Sequence, residues 1–207
     1  MSESFDRREA ASRVLIRRHQ GGDGEAFAEL VRLWDRALFA LTYRLIGHRE
    51  EAEDARQTVW VRVCRHLADI VPERGFSPWL YHVAVNVCRD ALRRRRSARA
   101  TSPVDACELA DGAASPPEVA QHRELRQLLA RALLSLPDDE RECLVLRHYE
   151  ELPVAAIASI VGRPRTSVHT CLDRAFSRLA RSLGHCHSGT ALDASRANHY
   201  AVRSHEM

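Results

Sequence analysis

The segment FSPWLYHVAVNVCRDALRRRR, residues 76–96, puts aromatic rings, a single asparagine and four consecutive arginines on one predicted helix. Leu80, Val83, Ala84, Val87 and Ala91 recur at helical spacing and mark its buried stripe. That stripe predicts outward positions for Tyr81, His82, Val85, Asn86 and Arg89. An outward ring can stack on an unpaired base, and an asparagine amide can hydrogen-bond a base edge. The run Arg93, Arg94, Arg95 and Arg96 supplies charge for phosphates. The same composition also fits a core helix with a solvated basic end, so the rest of the chain has to decide.

Outward from this segment, 207 residues with 45% hydrophobic and 29% charged content describe an ordinary globular chain of one domain or two small ones. The net charge of +3 announces no polyanion partner, but its distribution is uneven. Arginines cluster at 93–96 and again at Arg163, Arg165, Arg174, Arg178 and Arg181, while acids gather at Glu50, Glu51, Glu53 and Asp54. Cys64, Cys88, Cys107, Cys143, Cys171 and Cys186 form no C-x-x-C pair and read as reduced thiols. The charged N-terminus lacks the apolar centre of a signal peptide, and no apolar run would span a bilayer, so a cytoplasmic protein without membrane insertion is expected.

The chain divides by composition. Residues 1–11 are expected to be a flexible start and 12–96 a helical domain. Within that domain Asp23 is the expected cap, and Phe27, Leu30, Val31, Trp34, Leu38, Leu41 and Leu45 the inward stripe, of a helix closed by Gly47. A second helix runs from about Glu50 to Leu67, and a loop with Pro72 and Gly75 leads into 76–96. Residues 97–117, rich in Ala, Ser, Pro and acids, have no hydrophobic period and read as a flexible acidic linker. A second helical domain is expected over 118–183 and a disordered tail over 184–207. The predicted fold is therefore all-α, two small helical domains on a tether.

The second domain carries a sharper signature. Ile157, Ala158, Gly162 and Val168 stand at the spacing of a helix-turn-helix, with alanine at the helix contact, glycine in the turn and valine locking the second helix. Val168, Leu172, Ala175 and Leu179 would face inward, leaving Arg165, Thr166, His169, Thr170, Asp173 and Arg174 for the major groove. An arginine-coated surface helix is the other reading of those residues.

Taken in order, these segments resemble the extracytoplasmic-function sigma factors of the sigma-70 family, bacterial initiation factors that give core RNA polymerase its promoter specificity. The resemblance covers about Ser12 to Leu183 and rests on GDGEAFAEL (22–30), AEDARQTVWVRV (52–63), the 76–96 segment and LLSLPDDERECLVLRHYEELPVAAIASIVGRPRTSVHTCLDRA (133–175). It implies that Asp54 and Gln57 dock on arginines of the polymerase's largest subunit. It also implies that Ile70, Trp79, Tyr81, His82, Asn86, Arg89, Arg93 and Arg94 meet the start-proximal promoter element, where bases flip out of the non-template strand. The upstream element would be read as duplex by Arg165, Thr166, His169, Thr170, Asp173 and Arg174. The linker would thread a positively charged channel meant for RNA, an anti-sigma factor would be a further partner, and no cofactor or catalysis is implied.

The chain departs from the family pattern at Thr58, where an acid is usual, at Cys64, where an aromatic is common, and at Ala156, where glutamate is usual. Thr166 replaces glycine, and His169 and Cys171 stand where lysine or arginine is customary, which predicts weaker upstream contacts. In the tail, His185, Cys186 and His187, with His199 or His205, are a conceivable but awkwardly spaced metal set, and an unstructured tail is the simpler reading. A helix-turn-helix regulator acting without polymerase is the competing class. It would have no use for the 76–96 helix. An enzyme is disfavoured, since there is no glycine-rich phosphate loop and no nucleophile beside a base.

Overall fold

The stripe of Leu30, Trp34, Leu38, Leu41 and Leu45 is wholly buried in the computed structural model, which describes residues 3–101 and 127–186, with side-chain surroundings over 7–98 and 127–183. These residues fold as α1 (Glu3–Gln20), α2 (Glu25–Ile46) and α3 (Arg49–His66), two 3-10 turns (Leu67–Asp69 and Pro72–Arg74), and α4 (Phe76–Thr101). After the linker come α5 over 127–134, α6 (Asp138–His148), α7 (Val154–Val161) and α8 (Arg165–Cys186). No strand occurs among the described residues, and the fold is all-α.

Helix α1 corrects the expectation of a flexible segment over 1–11. Glu9 is buried, and its carboxylate accepts hydrogen bonds from the backbone N–H groups of Phe76 and Ser77 at 2.5 and 3.0 Å. The first N–H groups of a helix have no partner within it, and negative charge suits that end, so α1 caps α4 from outside. Ser12 Oγ accepts from the buried Trp34 indole at 2.8 Å, and Gln20 donates to the carbonyls of Ala68 and Ile70 at 3.0 and 2.8 Å, fixing the loop before α4. Asp23 also acts differently from expectation. The residue at the start of α2 is Gly24, which makes no side-chain cap, and Asp23 accepts from the Glu25 N–H at 2.9 Å from one position earlier.

Helix α4 runs five residues beyond Arg96, so 97–101 is helix rather than linker. Residues 102–117 of the expected linker and 118–126 of the second domain lie outside the described residues. Helix α8 takes up 184–186, and the remainder of the tail, 187–207, is likewise outside. The side chains of His185, Cys186, His187, His199 and His205 are not among those described.

The largest departure is that the two domains pack together. One apolar core runs from Leu15 of α1 to Ala175 of α8, with α4 against α7 and α2 against α6. At the end of α2, Gly47 adopts φ 78°, and a β-carbon added there would lie 2.5 Å from Leu134 of the second domain. The left-handed cap favours glycine, and any larger residue would also have to displace the Leu134 side chain. Helix α6 packs on α2, α7 and α8 with three consecutive charges buried, and each finds a partner. Glu140 meets Arg178 of α8 at 2.9 Å, Glu142 meets Arg89 of α4 at 2.6 Å, and Arg141 donates to the carbonyls of Leu134 and Leu136 at 3.1 Å each.

Replacing Glu9 by alanine leaves two buried N–H groups without an acceptor, and a loss of about 1–3 kcal/mol in folding stability is expected. Urea unfolding of the full chain measures it; an unchanged midpoint would show that α1 does not cap α4.

Candidate nucleic-acid interface

The loop between α3 and α4 and the outer side of α4 together enclose an open groove of ≈ 480 Å³. Arg62 and His66 come from the last turns of α3, Asp69, Ile70, Val71 and Arg74 from the loop, and Trp79, His82, Val83 and Asn86 from α4. Of the start-proximal residues expected from sequence, Ile70, Trp79, His82 and Asn86 converge here. Trp79 is half-buried, lines the groove, and is tilted against Phe76 with ring centroids 6.1 Å apart. The basic members Arg62, His66 and Arg74 escaped the sequence reading. Their only signal is helical spacing at the end of α3 and the loop's return toward α4.

Other positions of the α4 face are not free. Tyr81 is buried, edge-on to Trp34 at 6.0 Å, and its hydroxyl donates to Glu150 Oε2 at 2.7 Å, so it offers no ring for base stacking. Burial, with Glu150 beside it, pushes that hydroxyl's pKa well above its ordinary value. Val85, expected outside, is fully buried in the core. His82 Nδ1 lies 2.9 Å from the Ile160 carbonyl, which can only accept, so the ring's proton is assigned to Nδ1. The other nitrogen, Nε2, then accepts from the Asn86 amide at 3.0 Å. Arg89 makes a two-pronged contact with Glu142, at 2.9 and 2.6 Å, and a third bond to the Val161 carbonyl at 3.3 Å.

The arginine tail is divided in the same way. Arg95 donates to the Ile46 carbonyl at 3.2 Å, capping α2, and to Glu51 at 3.3 Å, while Arg96 crosses to Asp138. Arg93 and Arg94 are exposed, held only to Asp90 on their own helix. These two are the tail's available cations for phosphate.

Along the later turns of α4, Asp54 and Gln57 stand exposed on α3 above an open groove of ≈ 770 Å³ shared with Ala91 and Arg94. They share a surface with Val61, a large apolar side chain left half in water. A carboxylate beside an exposed valine is a composition suited to a protein partner carrying arginines.

The helix-turn-helix is formed by α7 and α8. Ile157 and Val168 are fully buried, Ala158 is nearly so, and Gly162 takes φ 70° in the turn. Arg165, Thr166, His169, Thr170, Asp173 and Arg174 are all exposed along one side of α8. Cys171 is 6% exposed and packs inward, apart from the exposed row. Cys64, Cys88, Cys143 and Cys171 are free thiols, and burial pushes Cys143 up to about 12. Arg163 ties the turn to α6 by donating to Asp139 at 2.9 Å, and this holds the Asp139 carboxyl below its ordinary range.

Two families match this architecture part by part: sigma-70 region 2 over residues 30–98, and sigma-70, region 4 over residues 126–179. The ECF RNA polymerase sigma factor SigM of Mycobacterium tuberculosis (strain ATCC 25618 / H37Rv) is 31% identical over 184 residues, covering 88% of this chain and 90% of SigM. The ECF RNA polymerase sigma factor SigW of Bacillus subtilis (strain 168) is 29% identical over 177 residues, covering 81% and 94%. Among solved structures, CnrH in complex with the cytosolic domain of CnrY matches with a TM-score of 0.63 at 25% identity, covering 84% of this chain and 98% of that one. The chain belongs to the extracytoplasmic-function sigma factors of the sigma-70 family. It is an initiation factor that binds core RNA polymerase and directs promoter recognition. No helix among the described residues is long and apolar enough to cross a membrane.

The Arg163–Asp139 pair gives the helix-turn-helix a defined acid response. A depressed carboxyl contributes stability that is complete above its unfolded pKa of about 4 and is lost as pH falls through the lowered folded value. Both side chains are about two-fifths exposed, so replacing Asp139 by asparagine should cost at most about 1 kcal/mol near neutrality. The gap between variant and parent should close on acidification, as read from denaturant midpoints across the acid range.

Proposed function

We propose that this sigma factor opens promoters by trapping flipped bases of the non-template strand in the groove between the α3–α4 loop and α4. The convergence of Ile70, Trp79 and Asn86 on one groove carries the reading. An apolar wall and an indole receive a base face, while the asparagine amide supplies paired donor and acceptor positions for a base edge. Removing a base from the stack costs a few kcal/mol, and contacts that exist only with the opened strand offset that cost, so binding and melting become one event. Arg93 and Arg94 neutralise adjacent phosphates.

In the same reading Asp54 and Gln57 dock the first domain on arginines of the polymerase's largest subunit, and α8 lies in the major groove of the upstream element. Thr166, His169, Thr170, Asp173 and Arg174 then face base edges, with Arg165 on phosphate. His169 and Cys171 stand in place of two customary cations, worth about one unit of salt slope apiece if both customary contacts are to phosphate. The chain acts by stoichiometric binding in the cytoplasm, leaves phosphodiester chemistry to polymerase, and is a candidate for restraint by an anti-sigma protein. A duplex-only regulator would leave the groove and the exposed Asp54 surface without a use.

Replacing Asn86 by alanine should reduce promoter strand opening about tenfold, as for loss of a contact of about 1–3 kcal/mol, with polymerase binding unchanged. Permanganate reactivity of promoter thymines and co-elution with core polymerase check the two halves; equal loss of both contradicts the assignment. Replacing Arg174 by alanine should weaken protection of the upstream element while start-proximal melting persists on strong templates. An unchanged upstream footprint would remove α8 from that role.

A further inference from the structure

The loop that walls the groove between α3 and α4 is gripped from α1. Gln20 holds its start, Arg17 its middle and Glu9 its end, all from the one helix. We propose that Gln20 is a positioning residue for base selection: by holding the carbonyls of Ala68 and Ile70 it sets the directions in which Asp69 and Ile70 meet the captured base. The proposal rests on the strand-capture reading above and adds to it a control of selectivity placed outside the groove.

Three observations support this role. First, the loop's own bonds leave its exposed part unheld. Leu67 and Pro72 are buried anchors, and the residues between them are exposed or half-buried. The turn bonds run from the Ile70 N–H to the Leu67 carbonyl at 3.4 Å, from Arg74 to Val71 at 3.1 Å and from Gly75 to Pro72 at 3.2 Å. The carbonyls of Ala68 and Ile70 fall outside that set, and the Gln20 amide donates to them at 3.0 and 2.8 Å. Second, these two carbonyls govern side-chain direction. A peptide unit is planar, so fixing the Ala68 carbonyl fixes the plane leading into Asp69, and fixing the Ile70 carbonyl fixes the plane leading out of Ile70. Asp69 and Ile70 stand between the two fixed planes, and both line the groove. Third, Gln20 is itself held in place. Arg18 donates to Asp23 at 2.8 Å and to Glu29 at 3.2 and 3.1 Å, closing the turn after α1, while Leu15 and Ile16 anchor the helix in the core.

The chemistry of the groove makes this placement matter. An ionised carboxylate only accepts hydrogen bonds, so Asp69 favours the exocyclic amino groups of unpaired adenine or cytosine over the carbonyl oxygens of thymine. Asn86, on the α4 side of the same groove, both donates and accepts. Discrimination therefore depends on the spacing of the loop from α4. A displacement of about 1 Å carries a donor and acceptor out of hydrogen-bonding range. Gln20 does not line the groove, so it reaches the base only through the loop. Its side chain is exposed, and water can take over its two bonds, so their loss frees the loop locally while the fold stays intact. The Arg17–Glu73 pair cannot substitute for it. Those side chains are 64% and 60% exposed, and an ion pair in water holds weakly.

The test uses the full chain with core polymerase on a promoter located by run-off transcription, each of the four bases being placed in turn at the non-template positions of its start-proximal element. Gln20→Met keeps the reach of the side chain and removes both donors, and Gln20→Lys restores donors. The quantity read is the ratio of transcript yields between the best and worst base at the most selective position. Any change common to all four templates cancels in that ratio, the added charge of lysine included. For Gln20→Met the ratio should fall about three- to tenfold, as for loosening of one base-edge contact, and for Gln20→Lys it should return toward the parent's. Urea midpoint and co-elution with core polymerase should match the parent, while amide hydrogen exchange over 68–71 should quicken in Gln20→Met with α4 unchanged. A Gln20→Met chain as selective as the parent overturns the proposal, and so does an equal loss of yield on all four templates or unaltered exchange over 68–71. If Gln20→Met fails to fold, Gln20→Ala decides by the same ratio. A parent that yields transcript yet distinguishes no base of the element defeats the strand-capture reading itself, a result distinct from a selective parent with an equally selective variant.

Discussion

Helix α4 has to be buried well enough to hold a fixed shape while its outer side lines the groove proposed for strand capture. One side packs on α2 and α3 through Leu80, Ala84 and Val87, which leaves a single outer side for the groove and for the second domain alike. Glu9 caps the helix at its start, Arg95 ties its later turns to the end of α2, and Arg89 binds Glu142 near its middle. Each of these contacts fixes where Trp79 and Asn86 stand relative to the α3–α4 loop. The groove is a product of that anchoring rather than of any residue inside it.

Charge in this molecule is used twice. Arginines 93–96 form an unbroken basic run in sequence, yet in the fold Arg95 and Arg96 serve structure while Arg93 and Arg94 remain at the surface. The acids of α6 follow the same division, with Glu140 turned toward α8 and Glu142 toward α4. Arg89 is thereby committed to Glu142, and Arg178 to Glu140. Cohesion between the domains thus draws on arginines that the sequence groups with the exposed ones.

Much of this was legible from local pattern. Val168, Leu172, Ala175 and Leu179 announce an inward stripe because the helical period lies within a single element, and the exposed row from Arg165 to Arg174 follows from it by subtraction. Gly162 signals its turn for the same reason. Tyr81 reads as outward because its burial depends on Trp34 of another helix and on Glu150, 69 residues later. Glu9 resembles any surface acid until α4 is seen to start beside it. Cys171 looks like a missing cation on a recognition surface until its sulfur is seen packed beside Asp139 of α6. The mutual packing of the domains is the least legible feature, since it arises from pairs such as Arg89 with Glu142 and Gly47 with Leu134 that no periodicity links.

The central claim is that these helices confer promoter-specific initiation on a polymerase they do not contain. Run-off transcription by core RNA polymerase on fragmented genomic DNA, with and without the full chain, tests it most directly. Discrete transcripts that begin at defined sites only when the chain is present are the expected result. A chain that retards duplex DNA by itself, yet neither co-purifies with core polymerase nor starts transcripts, would contradict it.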